Sequence, residues 1–194
     1  MNCDRKHKES SEHKSLSHIV GLYKKEYAPG AEQEMRYYKI QKKIENVIEK
    51  AALSKLPPTK QYPSGKRHPH QRRIPGNQLI AAKDALLKEK GKLKNCKNFH
   101  ELFKMVCACI GCVDKIGELT IYDISHRIGA HLGLKPDQVY LHAGTRVGAK
   151  ALKIKLEKQA LSMSQLPKPF HALKPHEIED CLCIFKKKIA AIGI

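Results

Sequence analysis

The chain has 194 residues, and its 37 Lys and Arg against 19 Asp and Glu give a formal net charge of +18. No run of about 18 apolar residues occurs, which excludes a membrane-spanning helix. Because net charge governs partners rather than fold, it points to nucleic acid, an anionic membrane surface or an acidic protein.

In chain order, residues 1–15 are polar and are predicted to be a disordered tail. Residues 16–56 are predicted to be a helical arm, with a short helix from 16 to 27 and a long helix over 32–56. Residues 57–76 hold five of the ten prolines and no hydrophobic period, which predicts a basic Pro-rich loop between arm and core.

Residues 77–194 are predicted to be a helical core domain, so the fold class is all-α. No alternating strand pattern longer than four residues occurs, although 139–141 is a candidate extended piece. Asn77 and Asn98 are each predicted to cap the start of a helix, and Gly133 to end the helix over 118–131 in the left-handed conformation. Thr145 is predicted to cap a helix that runs to about residue 160, and the last helix is predicted to start near Pro175.

The stretch from Val113 to Gly117 joins an apolar helix to a new helix at Glu118. Such a turn presents backbone N–H groups to a phosphate oxygen, which makes Gly117 and Thr120 candidate contacts. At these residues the sequence resembles a helix-hairpin-helix element, and its continuation to Leu152 is similar to the helix-hairpin-helix DNA glycosylases. The resemblance implies DNA binding.

The sequence departs from that family at three positions. Lys115 stands where the first hairpin glycine is expected, Leu119 where bifunctional members carry a catalytic lysine, and His142 near the position of the catalytic aspartate. We therefore expect no excision of ordinary damaged bases. The strings 122–145 and 177–183 also resemble a group of bacterial hypothetical proteins without an assigned activity, which implies one domain over about 70–186.

The helix predicted over 118–131 carries two pairs of polar residues spaced by four, Tyr122 with His126 and Asp123 with Arg127. One interpretation is an exposed ion pair beside a partly buried tyrosine. The other is the wall of a polar pocket, completed by His142, with these catalytic candidates: His142, Asp123, Tyr122 and His126. In that interpretation, Arg127 holds an anionic group.

Two further groups are candidate phosphate sites. Thr145 and Arg146 stand at a predicted helix start, where they either hold an anion or simply cap the helix. The basic loop is either a solvated charged segment or a phosphate-binding one, with these candidate contacts: Lys66, Arg67, His70, Arg72 and Arg73. The acidic residues of the last helix, Glu177, Glu179 and Asp180, are either helix-start charges or an acid or base in the pocket.

Seven cysteines occur, mostly inside apolar runs, and the charged start of the sequence leads us to expect no secretory signal. We expect free core thiols in a reducing cytoplasmic setting, with no metal and no cofactor. The pattern as a whole predicts a nucleic-acid-binding protein that contacts mainly the phosphate backbone, with DNA favoured over RNA. Two alternatives stay open: an enzyme acting on a nucleic acid or a phosphorylated small molecule, and a module that binds an acidic protein.

Overall fold

The computed structural model describes residues 15–63 and 65–193, and this part of the chain is mostly helical, which confirms the all-α class. Two short strands, β1 (Val139–Tyr140) and β2 (Ala160–Leu161), pair antiparallel. The α-helices are α1 (Leu16–Glu26), α2 (Ala28–Lys39), α3 (Ile44–Ala52), α4 (Gly76–Lys88), α5 (Lys90–Asn95), α6 (Phe99–Ile110), α7 (Glu118–Leu132), α8 (Ala143–Ala151) and α9 (Pro175–Ile192). Among the described residues, no helix has the length and apolar character needed to cross a membrane.

The chain divides into two compact units, one formed by residues 1–30 with 137–194 and the other by 31–136. This division differs from the predicted arm, loop and core. Helix α1 packs in the first unit, where its Tyr23 donates a hydrogen bond to Asp180 of α9 at 3.0 Å. The basic loop lies inside the second unit. Of the tail predicted to be disordered over residues 1–15, residues 1–14 lie outside the described residues, and Ser15 caps α1.

Close contact between α8 and α9 organises the first unit. Gly144 and Gly148 stand four residues apart on α8, and a Cβ at Gly148 would collide with the Leu182 carbonyl of α9. A Cβ at Gly144 would collide with the thiol of Cys183. The two helices therefore approach at a distance that only glycine permits.

The second unit contains a break that the sequence pattern did not predict. The helix expected over 32–56 is two helices, α2 and α3, separated by residues 40–43. Tyr38 and Val47 are both fully buried, yet nine positions at about 100° each would place them on opposite faces of one helix. The break turns the chain so that both side chains reach the same core.

Helix ends agree with the sequence in part. The Asn98 side chain accepts a hydrogen bond from the Glu101 N–H at 2.9 Å, and Gly133 adopts φ +75°, so both signals are confirmed. Helix α4 starts after Pro75 rather than at Asn77. Helix α8 is capped by His142 instead of Thr145 and ends at Ala151, well before 160.

Candidate functional site

The basic loop (residues 57–76) is folded back on the end of α3. The N–H of Leu56 donates to the Lys66 carbonyl at 2.8 Å, and the N–H of His68 donates to the Ser54 carbonyl at 2.8 Å. Gly65 turns the chain with φ +77°, and a Cβ there would collide with the Leu56 carbonyl. The segment that carries the two histidines is therefore held by backbone hydrogen bonds.

One turn of 3-10 helix, Pro69–Gln71, rests on the middle of α7. The His70 Nδ1 lies 3.0 Å from the Asp123 Oδ2, and the Gln71 Nε2 donates to the same oxygen at 2.5 Å. Asp123 stands six residues after Gly117, about 9 Å along the helix axis. Its carboxylate thus fastens the basic loop to the helix that follows the predicted hairpin.

The carboxyl group of Asp123 is ionised at neutral pH. Burial acts to raise the pKa of Asp123, but the hydrogen bond from His70, the charge of Arg127 and the Gln71 amide lower it. The net pKa lies well below the usual range. Asp123 therefore gives the basic loop a fixed negative anchor.

Arg127 is 2% exposed, and its Nε donates to the Glu34 Oε1 at 2.9 Å. Its guanidinium lies 5.8 Å from the centroid of the Tyr38 ring. Burial acts to lower the pKa of Arg127, but Asp123, Tyr38 and Glu34 raise it, with a net upward shift. The exposed ion pair considered for Asp123 and Arg127 is thus replaced by a buried group of charges, and Arg127 cannot reach a phosphate backbone.

His68 completes this group. Its Nε2 lies 3.8 Å from the Glu34 Oε2, and its Nδ1 accepts a hydrogen bond from the His70 N–H at 3.2 Å. Burial, reinforced by the charges of Arg127 and His70, lowers the pKa of His68 to about 4. The imidazole is therefore neutral at pH 7, and its contact with Glu34 is not an ion pair there.

Tyr122 and His126 have different surroundings from Asp123 and Arg127. Their rings lie 6.1 and 6.4 Å from the ring of Phe99 on α6, and Tyr122 is 2% exposed. The polar residues of α7 therefore form two groups, one against the basic loop and one in aromatic packing with α6. Because His142 belongs to the first unit, a pocket that combines it with these residues stays a prediction.

Residues 111–117, called the hairpin below, connect α6 to α7. Ile116 is buried, and Lys115 has φ +62° in the left-handed region that favours glycine. Gly117 is exposed and caps α7 without offering a side-chain acceptor to its first turn. Thr120 is 5% exposed, so its hydroxyl is removed from the predicted phosphate contacts.

In the first unit, His142, Thr145 and Glu179 form a buried cluster. The Thr145 Oγ1 lies 2.7 Å from the His142 Nε2 and donates to the Glu179 Oε1 at 3.1 Å, while the same Nε2 also contacts that carboxylate oxygen. The His142 Nδ1 accepts from the Gly144 N–H at 3.2 Å. A nucleophile–histidine–acid relay needs the hydroxyl and the acid on opposite ring nitrogens. The observed arrangement instead ties the start of α8 to α9.

The anion site predicted at the start of α8 is corrected by the same burial. Thr145 is fully buried, and Arg146 is half-buried with its Nη1 donating to the Leu141 carbonyl at 2.8 Å. Glu177 remains a helix-start charge, because its carboxylate accepts a hydrogen bond from the Lys174 N–H at 2.7 Å.

In the basic loop, Arg67 is half-buried and donates a hydrogen bond to the Ile74 carbonyl at 3.0 Å. The predicted phosphate contacts that remain exposed are Lys66, His70, Arg72, Arg73 and Gly117.

The cysteines are free thiols among the described residues, but most do not lie in the core. Cys181 is buried, whereas Cys107 and Cys112 are exposed. On α6 the buried stripe passes through Phe99, Leu102, Val106 and Ile110, so Cys107 falls beside it. Cys112 follows the end of that helix.

Three residues of the group around Asp123 were missed as site residues by the sequence analysis: Glu34, His68 and Gln71. A histidine–X–histidine spacing at 68–70 was a usable signal, because such pairs often serve as metal ligands. No sequence signal pointed to Glu34, since only the tertiary fold brings α2 against α7.

Comparison of the chain with protein-family models, curated proteins and solved structures finds no match.

Proposed function

We propose that the protein binds nucleic acid through the phosphate backbone, using the exposed cations of the basic loop and the hairpin. The observation that supports this most directly is the docking of the basic loop on α7 by Asp123. A flexible charged segment loses conformational entropy on binding, whereas a docked one presents its charges already ordered. Lys66, Arg72 and Arg73 are exposed cations on that docked segment.

Two nearby features suit a polyanion. The Lys66 ammonium lies 5.0 Å from the ring centroid of Tyr62, which is 38% exposed. An exposed aromatic ring beside a cation is the combination on which unpaired bases stack while the backbone is neutralised. At the hairpin, Gly117 leaves room for a phosphate oxygen to approach the first turn of α7.

Burial restricts the proposed contact set. Arg127, Thr120 and Thr145 are each 5% exposed or less, so they support the fold rather than the ligand. The contacts that remain are sequence-independent, because lysine and arginine on phosphate carry no base information. We therefore expect binding with little sequence preference and a steep dependence on salt.

The test measures affinity by fluorescence anisotropy for a short DNA duplex, an RNA duplex and single strands across a series of salt concentrations. In the variant K66A/R72A/R73A, the slope of log affinity against log salt should flatten by roughly 2 to 3, at about 0.9 per lost phosphate contact on B-DNA. The matched control removes three exposed lysines of the first unit, K155A/K158A/K168A, and should keep the slope.

Three other outcomes argue against the proposal. No binding at low salt excludes the function. Equal flattening in both triple variants means that net charge, rather than the basic loop, attracts the nucleic acid. Equally tight binding of polyglutamate indicates an acidic protein partner instead. A preference for single strands over duplexes assigns the Tyr62 ring to base stacking and keeps the proposed surface.

A further inference from the structure

The histidine–aspartate cluster, defined as His68, His70 and Asp123, has the donor set of a metal site. One nitrogen or oxygen from each residue lies within 4.8 Å of the other two. We propose that this cluster binds a divalent transition metal, with zinc the first choice. Two imidazole nitrogens and a carboxylate oxygen are typical ligands of that ion. This inference concerns metal binding alone and does not depend on the nucleic-acid proposal.

Hydrogen bonds already orient these ligands. The His68 Nδ1 is occupied by the His70 N–H, which directs its Nε2 to coordination. On Asp123 both hydrogen bonds go to Oδ2, and its Oδ1 accepts none from the described residues. Gln71 donates to that carboxylate as an outer-shell partner, and such partners usually fix the orientation of a ligating group.

The separations are close to what a metal requires. Tetrahedral ligands at 2.0–2.1 Å from zinc lie about 3.3 Å from one another. The His70 Nδ1 and the Asp123 Oδ2 are 3.0 Å apart, and one donor atom of each residue lies within 4.8 Å of the other two. The His70 side chain is 40% exposed, so the cluster is open to solvent on its side.

Local charge favours a cation despite the net charge of the chain. Asp123 and Glu34 supply two carboxylates, against the single guanidinium of Arg127. Two buried polar atoms beside the cluster, the Arg127 Nη1 and the Gln71 Oε1, hydrogen-bond to no described residue. Water on a bound metal would accept from the first and donate to the second.

Among the described residues, the main competitors for zinc are the exposed thiols of Cys107 and Cys112. Cobalt distinguishes the two kinds of site, because thiolate ligands add an intense charge-transfer band that imidazole and carboxylate ligands lack. The test therefore titrates tag-free protein, without nucleic acid, with Zn²⁺ against a chromophoric chelator and with Co²⁺ by visible absorption. Thermal melting with and without metal checks that each variant folds.

We expect one Zn²⁺ per chain and a Co²⁺ spectrum free of thiolate bands. H68A/H70A should lower the affinity by more than about 100-fold, since even the loss of an outer-shell partner commonly costs 10–100-fold. The matched controls, H100A at an exposed histidine of α6 and C107S/C112S, should bind as tightly as the parent. D123N provides a second ligand variant that keeps the side-chain shape.

The proposal is overturned if no stoichiometric metal binds. It is also overturned if the double histidine variant retains its affinity while C107S/C112S loses it. If H68A/H70A fails to fold, D123N and H70A decide: unchanged affinity in both contradicts the site, and loss in both supports it. Nucleic-acid binding that survives in a metal-free variant leaves the previous proposal intact, so the two failures are distinguishable.

Discussion

The side-chain amide of Gln71 donates a hydrogen bond to the carboxylate of Asp123 across 52 positions of the chain. Replacing Gln71 by Met keeps the volume but removes this donor. Because the acceptor is an ionised, largely buried group, the free energy of unfolding should fall by about 1.5–3 kcal/mol. Denaturant unfolding measures this change. If the docked loop is what binds nucleic acid, the affinity of the folded variant should also fall, although no charge is lost.

Lys115 occupies the left-handed region in the hairpin, at φ +62°. Lys115→Gly should raise the free energy of unfolding by up to about 1 kcal/mol. A Cβ in that region costs about 1–2 kcal/mol, and the larger conformational entropy that glycine loses on folding offsets part of the gain from removing it. Lys115→Ala keeps the strain and is the matched control. A lower stability of the glycine variant than of the alanine variant would contradict the observed backbone conformation.

Gly148 marks the closest approach of α8 and α9. Gly148→Ala should destabilise the protein by about 1–3 kcal/mol, the usual range for overpacking, because the added methyl meets the rigid carbonyl of Leu182. Gly21 of α1 has no atom within 4 Å of a built Cβ, so Gly21→Ala should be neutral or stabilising by up to about 1 kcal/mol. Thermal or denaturant unfolding of both variants checks the contrast.

His142 is buried between Thr145 and Glu179 and caps α8. His142→Ala should lower the free energy of unfolding by about 3 kcal/mol or more, because it leaves the Glu179 carboxylate buried without its imidazole partner. Replacement of both residues by apolar ones should restore part of that loss. Wild-type stability of His142→Ala would show that the cluster does not hold α8 to α9.

The thiols differ in exposure, which predicts a labelling order. In a Cys3→Ser background, a thiol reagent should modify Cys107 and Cys112 quickly in the native protein. Cys181 should react only on unfolding, because burial, with a smaller contribution from Asp180, raises its pKa to about 12. The thiolate is the reactive form, so Cys181 should stay protected even at a pH of about 9. Mass spectrometry of peptides after timed labelling measures the order.

Local sequence signals determined much of the secondary structure. The cap at Asn98, the left-handed stop at Gly133 and the last helix from Pro175 each depend on residues within a few positions, so they could be predicted. The break between α2 and α3 could not be predicted, because it depends on Tyr38 and Val47 both being buried in the same core. A helical period alone does not show where one helix must end so that the buried faces of two consecutive helices point into the same core.

The candidate site depended on the tertiary structure in the same way. Composition and charge pointed to an anionic partner, and the sequence already placed cations in the basic loop and polar residues on α7. Only the fold joins His70 and Gln71 to Asp123 and brings Glu34 to Arg127, across separations of 52 to 93 positions. Burial, which no single-sequence pattern measures, then removes Arg127 and Thr145 from solvent while Lys66, Arg72 and Arg73 face it. Charge is a property of the residue type, but exposure and partners are properties of the packed chain.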